Sequence, residues 1–152
     1  MGQRKTPTPE QLRIWREYTE TSQLVHALLE ARMQRDSAMS TADYRVLLAL
    51  TEAPERTLRS SRLAELIDWE RSRLSHHLGR MEKRGLIRRT RRTDDAHAVD
   101  VTVTAVGRDA FRSGSVPHLR AVREVFIDAL TPEQLAHLGE IASALRSHLE
   151  AD

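Results

Sequence analysis

The chain has 152 residues, a formal net charge of +2 and no cysteine. This length fits one domain, or one domain extended by helices that need a partner. The lack of cysteine excludes disulfides, thiolate metal ligands and thiol-based redox switches. The sequence contains no apolar run near the roughly 18 residues of a membrane helix. The opening MGQRKTPTPE has no apolar segment after its basic residues, which argues against a signal peptide and predicts a cytoplasmic location.

Positive charge is concentrated in one segment. Between Arg59 and Arg92, eleven Arg or Lys residues stand against four Asp or Glu, a local charge of +7, whereas the remainder carries −5. Concentrated positive charge predicts a polyanionic partner such as nucleic acid. The alternative is a solvated helix face, but such faces usually mix both signs.

A helix start follows a short polar N-terminus. Residues 1–8 are predicted to be disordered. In Thr8-Pro9-Glu10-Gln11-Leu12, Thr caps a helix, Pro takes its first position and Gln completes a capping box. The helix is predicted over about Pro9–Met33, with 9–36 assigned to a dimerisation region and Gln34–Met39 to a linker.

Two short helices are predicted next, with a strand between them. Ser40, with Asp43 three residues later, caps a helix that ends at Ala53-Pro54-Glu55. Leu58 is expected in a short strand. The helix after it, ending at Ile67, is predicted to have a serine cap and three inward side chains: Ser60 or Ser61, and Leu63, Leu66 and Ile67.

The segment Glu70–Gly85 combines a narrow apolar stripe with a basic face. Leu74, Leu78 and Met81 recur at helical spacing, while the other faces carry guanidinium, imidazole and hydroxyl groups. Gly85 is predicted to end this helix as a C′ glycine. The turn before the helix is expected to supply its N-cap and a packing wedge: Asp68 or Glu70, and Trp69.

Two extended segments around a charged tip follow the basic helix. Leu86–Thr90 and Ala98–Thr104 predict a β-hairpin. Helix, helix and hairpin in this order indicate a winged helix-turn-helix. The predicted fold is therefore mainly α with a small β-hairpin wing (α+β), with 40–104 as the DNA-binding domain and flanking N- and C-terminal dimerisation helices.

The C-terminal region, 105–152, is predicted to be helical and to mediate dimerisation. Thr104 is expected to cap a helix that Gly114 and Pro117 kink near Ser115. A second Thr-Pro-Glu-Gln-Leu, at 131–135, starts a last helix with a coiled-coil-like seam. The alternative is an ordinary helix that packs within its own subunit. Both terminal helices carry more apolar stripe than a compact winged domain covers, which predicts a homodimer interface: Leu12, Trp15, Leu135, Leu138, Ala142, Leu145 and Leu149.

No pattern in the sequence predicts catalysis, a cofactor or a metal. His76 and His77 are adjacent, so on a helix they point about 100° apart. Asp94, Asp95 and His97 at the hairpin tip are better explained as a solvated turn. The sequence has no nucleophile elbow, phosphate-binding glycine loop or pair of catalytic carboxylates, which predicts that the protein is not an enzyme.

Four fragments together resemble the MarR family, regulators of multiple antibiotic resistance and related responses: Leu63-Ala64-Glu65-Leu66, Glu70-Arg71-Ser72-Arg73-Leu74, Arg80–Ile87 and Val101–Gly107. The resemblance covers the whole length. It implies a two-fold homodimer on a pseudo-palindromic operator in double-stranded DNA, usually a repressor, often released by a small anionic or phenolic effector. The resemblance also implies a ligand pocket, whose conceivable lining residues are Trp15, Tyr18 and Tyr44. The alternative is that these three side chains pack in the core.

DNA contacts are predicted from three places. The recognition helix would supply Arg71, Ser72, Arg73, Ser75, His76, His77 and Arg80; the wing would supply Arg89, Arg91, Arg92 and His97; and phosphate would be bound by Ser60, Ser61 and Arg84. The wing departs from the family pattern, whose Asp-Arg-Arg tip is here Asp95 followed by Ala96 and His97. Arg91 and Arg92 are the candidate substitutes. The competing hypothesis is a winged-helix protein–protein adaptor whose basic face meets an acidic partner.

Overall fold

The computed structural model describes residues 6–37, 39–95 and 97–151, and is mainly helical. The helices are α1 (Pro9–Ser37), α2 (Thr41–Glu52), α3 (Ser60–Ile67), α4 (Arg71–Lys83), α5 (Ala105–Val122) and α6 (Pro132–Glu150). The strands are β1 (Thr57–Arg59), β2 (Ile87–Arg91) and β3 (Val99–Val103). This architecture confirms the predicted fold class. Most of the N-terminal stretch predicted to be disordered lies outside the described residues.

Side-chain caps begin four of the helices where the sequence predicts them. Thr8 Oγ1 accepts from the Gln11 amide at 3.2 Å, and Ser40 Oγ accepts from the Asp43 amide at 2.9 Å. Thr131 forms the equivalent capping box with Gln134 at the start of α6, and Thr104 Oγ1 accepts from the Gly107 amide at 3.0 Å before α5. Each such cap stabilises its helix by about 1 kcal/mol.

The wing is part of a three-stranded antiparallel sheet in the order β1-β3-β2. Leu58 pairs with Val101, and Ile87 pairs with Val103, so the central strand β3 carries apolar side chains to the core. Val101 and Val103 are buried. The predicted strand at Leu58 and the predicted hairpin are both confirmed.

The described chain divides into two compact units, one formed by residues up to Leu29 and from Leu119 onward, the other by Glu30–His118. The second unit contains the winged region and the buried core. Its apolar centre joins side chains of α2, α3, α4 and the sheet: Val46, Leu47, Leu50, Leu63, Leu74, Leu78, Met81, Ile87 and Val101. The predicted stripe of α4 therefore faces this core.

Two glycines of this unit have conformations or contacts that a larger residue would disturb. Gly85 has φ +75°, and it ends α4 in a Schellman motif in which the Leu86 amide donates to the Met81 carbonyl at 3.1 Å. At Gly107 an added Cβ would lie 2.0 Å from the Leu86 carbonyl oxygen. The predicted C′ glycine is confirmed, and Gly107 allows α5 to start against the end of the recognition helix.

The first helix is longer than predicted. The proposed linker Gln34–Met39 is wrong for its first four residues, because α1 continues to Ser37. The Ser37 hydroxyl donates to the Met33 carbonyl at 2.7 Å, and the segment contains no proline or glycine to end the helix. Met33 and Met39 are both buried in the core of their unit, whereas Gln34, Arg35 and Asp36 between them are exposed.

Helix α3 differs from its prediction in two ways. The predicted serine cap is wrong, because the strand β1 runs directly into the helix and Arg59 occupies the N-cap position. Leu66 was expected to face inward, yet it is 51% exposed. The inward residues Leu63, Ala64 and Ile67 centre on a direction about 110° from Leu66 around the helix.

The predicted interruption of α5 at Gly114 and Pro117 is also wrong, because the helix is continuous from Ala105 to Val122 with Pro117 inside it. The predicted kink near Ser115 stays a prediction. The irregular turn comes later, as a π-type segment over Arg123–Ile127. Gly114 has a packing role instead: an added Cβ would lie 2.5 Å from the Met39 side chain.

The unit built from the chain ends exposes much apolar surface. Trp15 is 62% exposed and Leu149 is 74% exposed. Leu12, Ala142 and Leu145 are also exposed, while Leu135 and Leu138 are half-buried. Within the described residues, no helix is both long enough and apolar enough to cross a bilayer.

Candidate nucleic-acid interface

The first two turns of α4 present polar side chains to solvent. Arg71, Ser72, Ser75 and His76 are all exposed, as the sequence predicts. They lie on the faces that the buried stripe of Leu74, Leu78 and Met81 leaves open. This surface offers donors that match phosphate oxygens and base edges.

A groove separates this helix from the wing. It has a volume of about 320 Å³ and is lined by the starts of α3 and α4 and by the hairpin. Polar and basic groups from all three elements meet there: Ser60, Ser61, Arg71, Ser75, Arg89 and His97. The predicted phosphate contacts of α3 are therefore brought beside the recognition helix and the wing.

Arg73 is exposed, and its guanidinium packs against an aromatic ring. Its Cζ lies 4.2 Å from the centroid of the Trp69 ring, a cation–π distance. Arg45 of α2 approaches the same ring at 5.9 Å. Trp69 is the buried wedge that the sequence predicts, and it also supports the arginine proposed to read a base.

His77 is the clearest correction to the predicted contacts. The sequence places it on the DNA-facing surface, but it is only 7% exposed. Its ring meets Trp69 edge-on at 5.4 Å, and its Nε2 lies 3.0 Å from Asp43 Oδ1. The buried face of α4 is therefore wider than the spacing of its aliphatic residues indicates. His77 belongs to this face because it contacts the Asp43 carboxylate inside the protein.

Asp43 is the carboxylate that joins α2 to the recognition helix. It is 1% exposed, and its Oδ2 accepts from Arg84 Nη1 at 2.7 Å and from the Ser40 amide at 3.1 Å. Burial alone would raise the pKa of Asp43, but hydrogen bonds from His77, Arg84 and the Ser40 backbone hold it well below its usual range. The buried carboxylate is therefore ionised, and Arg84, predicted to bind phosphate, is engaged by it.

Two of the predicted wing arginines are held by carboxylates. Arg89 donates to Glu82 of α4 through its backbone amide at 2.8 Å and its Nε at 3.0 Å. Arg92 Nη2 lies 2.6 Å from Asp94, and its Nη1 lies 3.4 Å from Asp100. The Arg92 hydrogen bond holds the pKa of Asp94 at about 2.

The other predicted wing contacts remain available to a partner. Arg91 is exposed, and no hydrogen bond or ion pair joins its side chain to the described residues. His97 is exposed as well, and its backbone amide donates to Asp95 Oδ1 at 3.0 Å, which tightens the hairpin tip. Ala96, part of the departure from the family wing, lies outside the described residues.

Sequence reasoning missed two acidic residues that organise this surface. Asp43 was recognised only as part of a capping box, and Glu82 only as one charge in a basic helix. A carboxylate in a capping box can accept further hydrogen bonds, and the sequence also contains a strongly basic helix. These two features together could have indicated that Asp43 binds that helix. Nothing local to Glu82 indicates that it would bind Arg89, because the contact crosses the turn between α4 and β2.

The acidic and histidine side chains of the described residues are dispersed. Among residues 6–37, 39–95 and 97–151, no three His, Asp or Glu side chains come together as a metal site would require. His76 and His77 point in different directions, one outward and one into the core.

Comparison with known proteins identifies the family. A family model described as the MarR family matches residues 39–97. Sco3205, a MarR family transcriptional regulator from Streptomyces coelicolor solved in complex with DNA, is 36% identical, with a TM-score of 0.89 over 95% of this chain and 91% of that chain. AbsC, another MarR family transcriptional regulator from Streptomyces coelicolor, is 30% identical, with a TM-score of 0.88 over 97% and 99%.

More distant structures share the fold. The organohalide-sensing regulator RdhR-CbdbA1625, in its 2,4-dichlorophenol-bound form, is 21% identical, with a TM-score of 0.81 over 97% of this chain and 89% of that chain. A search of curated protein sequences finds no match. The similarity to the two Streptomyces regulators extends over nearly the full length, including the terminal helices. The chain therefore belongs to the MarR family of transcriptional regulators.

Proposed function

We propose that this protein is a sequence-specific regulator that binds double-stranded DNA as a homodimer and acts as a repressor on a pseudo-palindromic operator. The observation that carries the proposal is the exposed polar face at the start of α4, beside a groove lined by serines and arginines of α3 and the wing. A relative 36% identical to this chain was solved in complex with DNA. On this proposal the protein works in the cytoplasm and has no catalytic activity.

The assignments of regions follow from this function. Residues 40–104 are proposed as the DNA-binding domain, and 9–36 with 105–152 as the dimerisation region. The contacts to bases are proposed for Ser72, Arg73 and His76, and those to phosphate for Arg71, Arg80 and the serines that begin α3. These side chains are exposed or half-buried, and the proposal leaves out His77, which is buried.

The salt dependence of binding tests the DNA proposal against the adaptor hypothesis. A dimer that neutralises about 6–10 phosphates should lose roughly 10³–10⁵ in affinity between 50 and 200 mM salt, because bound cations are released from the DNA. Fluorescence anisotropy on the DNA upstream of the chain's own gene measures this directly. A shuffled duplex of equal length separates specific from nonspecific binding. Nearly flat salt dependence would instead favour an acidic protein partner.

A small anionic or phenolic effector is proposed from the family resemblance. RdhR-CbdbA1625, which shares the fold, was solved with 2,4-dichlorophenol bound. Titrating 2,4-dichlorophenol and salicylate into the protein–DNA complex tests this proposal. Release of DNA at ligand concentrations that leave the protein folded would support an effector of this class, while unchanged affinity for both compounds would contradict it.

A further inference from the structure

The contact between His77 and Arg80 defines which ring nitrogen carries the proton. Arg80 Nη2 lies 2.9 Å from His77 Nδ1. A guanidinium group can only donate, so Nδ1 must accept and carries no proton. The ring proton is then on Nε2, the nitrogen that faces Asp43 Oδ1 at 3.0 Å. The imidazole therefore lies between a guanidinium and a carboxylate.

We propose that His77 is a positioning residue for DNA binding: its buried imidazole, anchored by Asp43, holds the exposed Arg80 guanidinium in place before DNA arrives. The inference rests on the proposed function and refines it. A long side chain loses conformational freedom when it binds phosphate. If His77 orders Arg80 in the free protein, this side chain has lost part of its conformational freedom before DNA binds. The entropy lost on binding is then smaller, and the affinity for DNA is higher.

Charged groups surround His77. Asp43 of α2 faces its Nε2, and Arg84 binds the same carboxylate. Arg80 lies at Nδ1, and Arg45 and Arg73 lie against the neighbouring Trp69 ring. The imidazole is therefore held by contacts inside the protein, which leave its Nδ1 as the acceptor for Arg80.

A double-mutant cycle separates positioning from a general structural role. Arg80→Ala should weaken operator binding by about 10-fold for each subunit of the dimer, the value of one charge-assisted hydrogen bond. His77→Leu keeps the bulk but removes the acceptor, and should weaken binding by about 3-fold for each subunit, the ordering cost of one side chain. If His77 acts through Arg80, the double variant should bind no more weakly than Arg80→Ala alone. Additive losses would overturn the proposal.

His76→Leu is the matched control, because His76 is the exposed neighbour of His77 and does not contact Arg80. Its effect should add to that of Arg80→Ala. Circular dichroism and thermal unfolding establish that each variant is folded. A protein that binds no operator at any salt or pH would contradict the proposed function itself, whereas normal binding with additive effects at His77 would contradict this inference alone.

The nature of the acceptor gives a second readout that also works if His77→Leu fails to fold. Glutamine and methionine have similar lengths, but only the glutamine amide oxygen is a good acceptor for Arg80. Arg80→Ala should therefore cost about 10-fold for each subunit in a His77→Gln background and only about 3-fold in a His77→Met background. Equal losses in the two backgrounds would overturn the proposal.

Discussion

At the scale of single residues, the arginines of the basic segment form two groups. The guanidinium groups of some bind carboxylates of the protein, and those of others do not. Arg84 binds the buried Asp43, Arg89 binds Glu82, and Arg92 binds Asp94 and Asp100. Arg71 and Arg91 are exposed and have no such carboxylate partner among the described residues. The segment's high positive charge therefore overstates how many cations face DNA, because part of it neutralises carboxylates within the protein.

Arg73 is the residue proposed to read a base. The Trp69 ring orients its guanidinium near the start of α4, where recognition helices present side chains to the major groove. Arg73→Ala should weaken operator binding by about 1–3 kcal/mol and relax the preference at one position of each half-site. Selection of sites from random DNA measures this. Arg80→Ala is the comparison, since it should weaken all sequences alike; the reverse pattern would mean that the helix is docked in another register.

Asp43 should make a large contribution to stability. Asp43→Ala removes a helix cap and leaves two partners of a buried carboxylate without it, so the free energy of unfolding should fall by about 2–4 kcal/mol. Urea unfolding monitored by circular dichroism measures the change. Asp109→Ala is the control, because that carboxylate is exposed and 3.9 Å from Arg112, and should cost less than about 0.5 kcal/mol. Equal losses in the two variants would contradict the role given to Asp43.

The same carboxylate predicts how stability changes in acid. Because the pKa of Asp43 is lower in the folded protein, its stabilisation is fully present above the unfolded pKa of about 3.9 and is lost progressively below it. The gap in unfolding free energy between wild type and Asp43→Ala should therefore be constant above about pH 5 and narrow below pH 4. A gap that widened in acid would mean that Asp43 is protonated in the native state.

At the scale of elements, the hairpin is tied to the recognition helix. The Arg89–Glu82 contacts fix the base of β2 against α4, and the carboxylates beside Arg92 hold its guanidinium at the wing. The wing should therefore move with α4. Among the described residues of the hairpin, Arg88 and Arg91 are exposed and have no side-chain partner within the protein.

A pair of neighbouring substitutions tests this division of the wing. Arg91→Ala should weaken binding to all sequences and lower the salt slope by about two, because the homodimer loses one phosphate contact from each subunit. Arg92→Ala removes ion pairs within the hairpin, so it should leave the salt slope unchanged. Anisotropy titrations across salt concentrations compare the two variants. The division is wrong if Arg92→Ala lowers the slope while Arg91→Ala does not.

Predictions from the sequence succeeded where the signal was local. The capping boxes at Ser40 and Thr131, the glycine that ends α4 and the strands of the hairpin all depend on residues a few positions apart. The interior position of His77 could not be predicted in this way, because its carboxylate partner belongs to another helix. Arg84 likewise binds a carboxylate 41 residues earlier in the chain. The interruption expected at Gly114 and Pro117 is absent, and α5 is continuous through both residues.

At the scale of the whole molecule, the unit built from the chain ends exposes apolar side chains along its helices. Along α6, Ile141, Leu145 and Leu149 are exposed, and along α1 so are Leu12, Ile14 and Trp15. Exposed apolar surface that is continuous along helices marks an interaction site in a folded protein. A second copy of the chain is the proposed cover, because a two-fold dimer would also place two recognition helices on one operator.

Leu138→Asp combined with Leu145→Asp tests this interface. Two carboxylates in the seam of α6 would have to be buried without partners in a dimer, at a cost of several kcal/mol each. The variant should therefore be monomeric or unfolded, as measured by light scattering with circular dichroism, and should lose operator binding. Ser143→Asp with Ser147→Asp is the matched control, because it adds the same charges on the opposite face of α6 and should leave a dimer. A folded dimer of unchanged mass from the leucine variant would show that α6 does not form the interface.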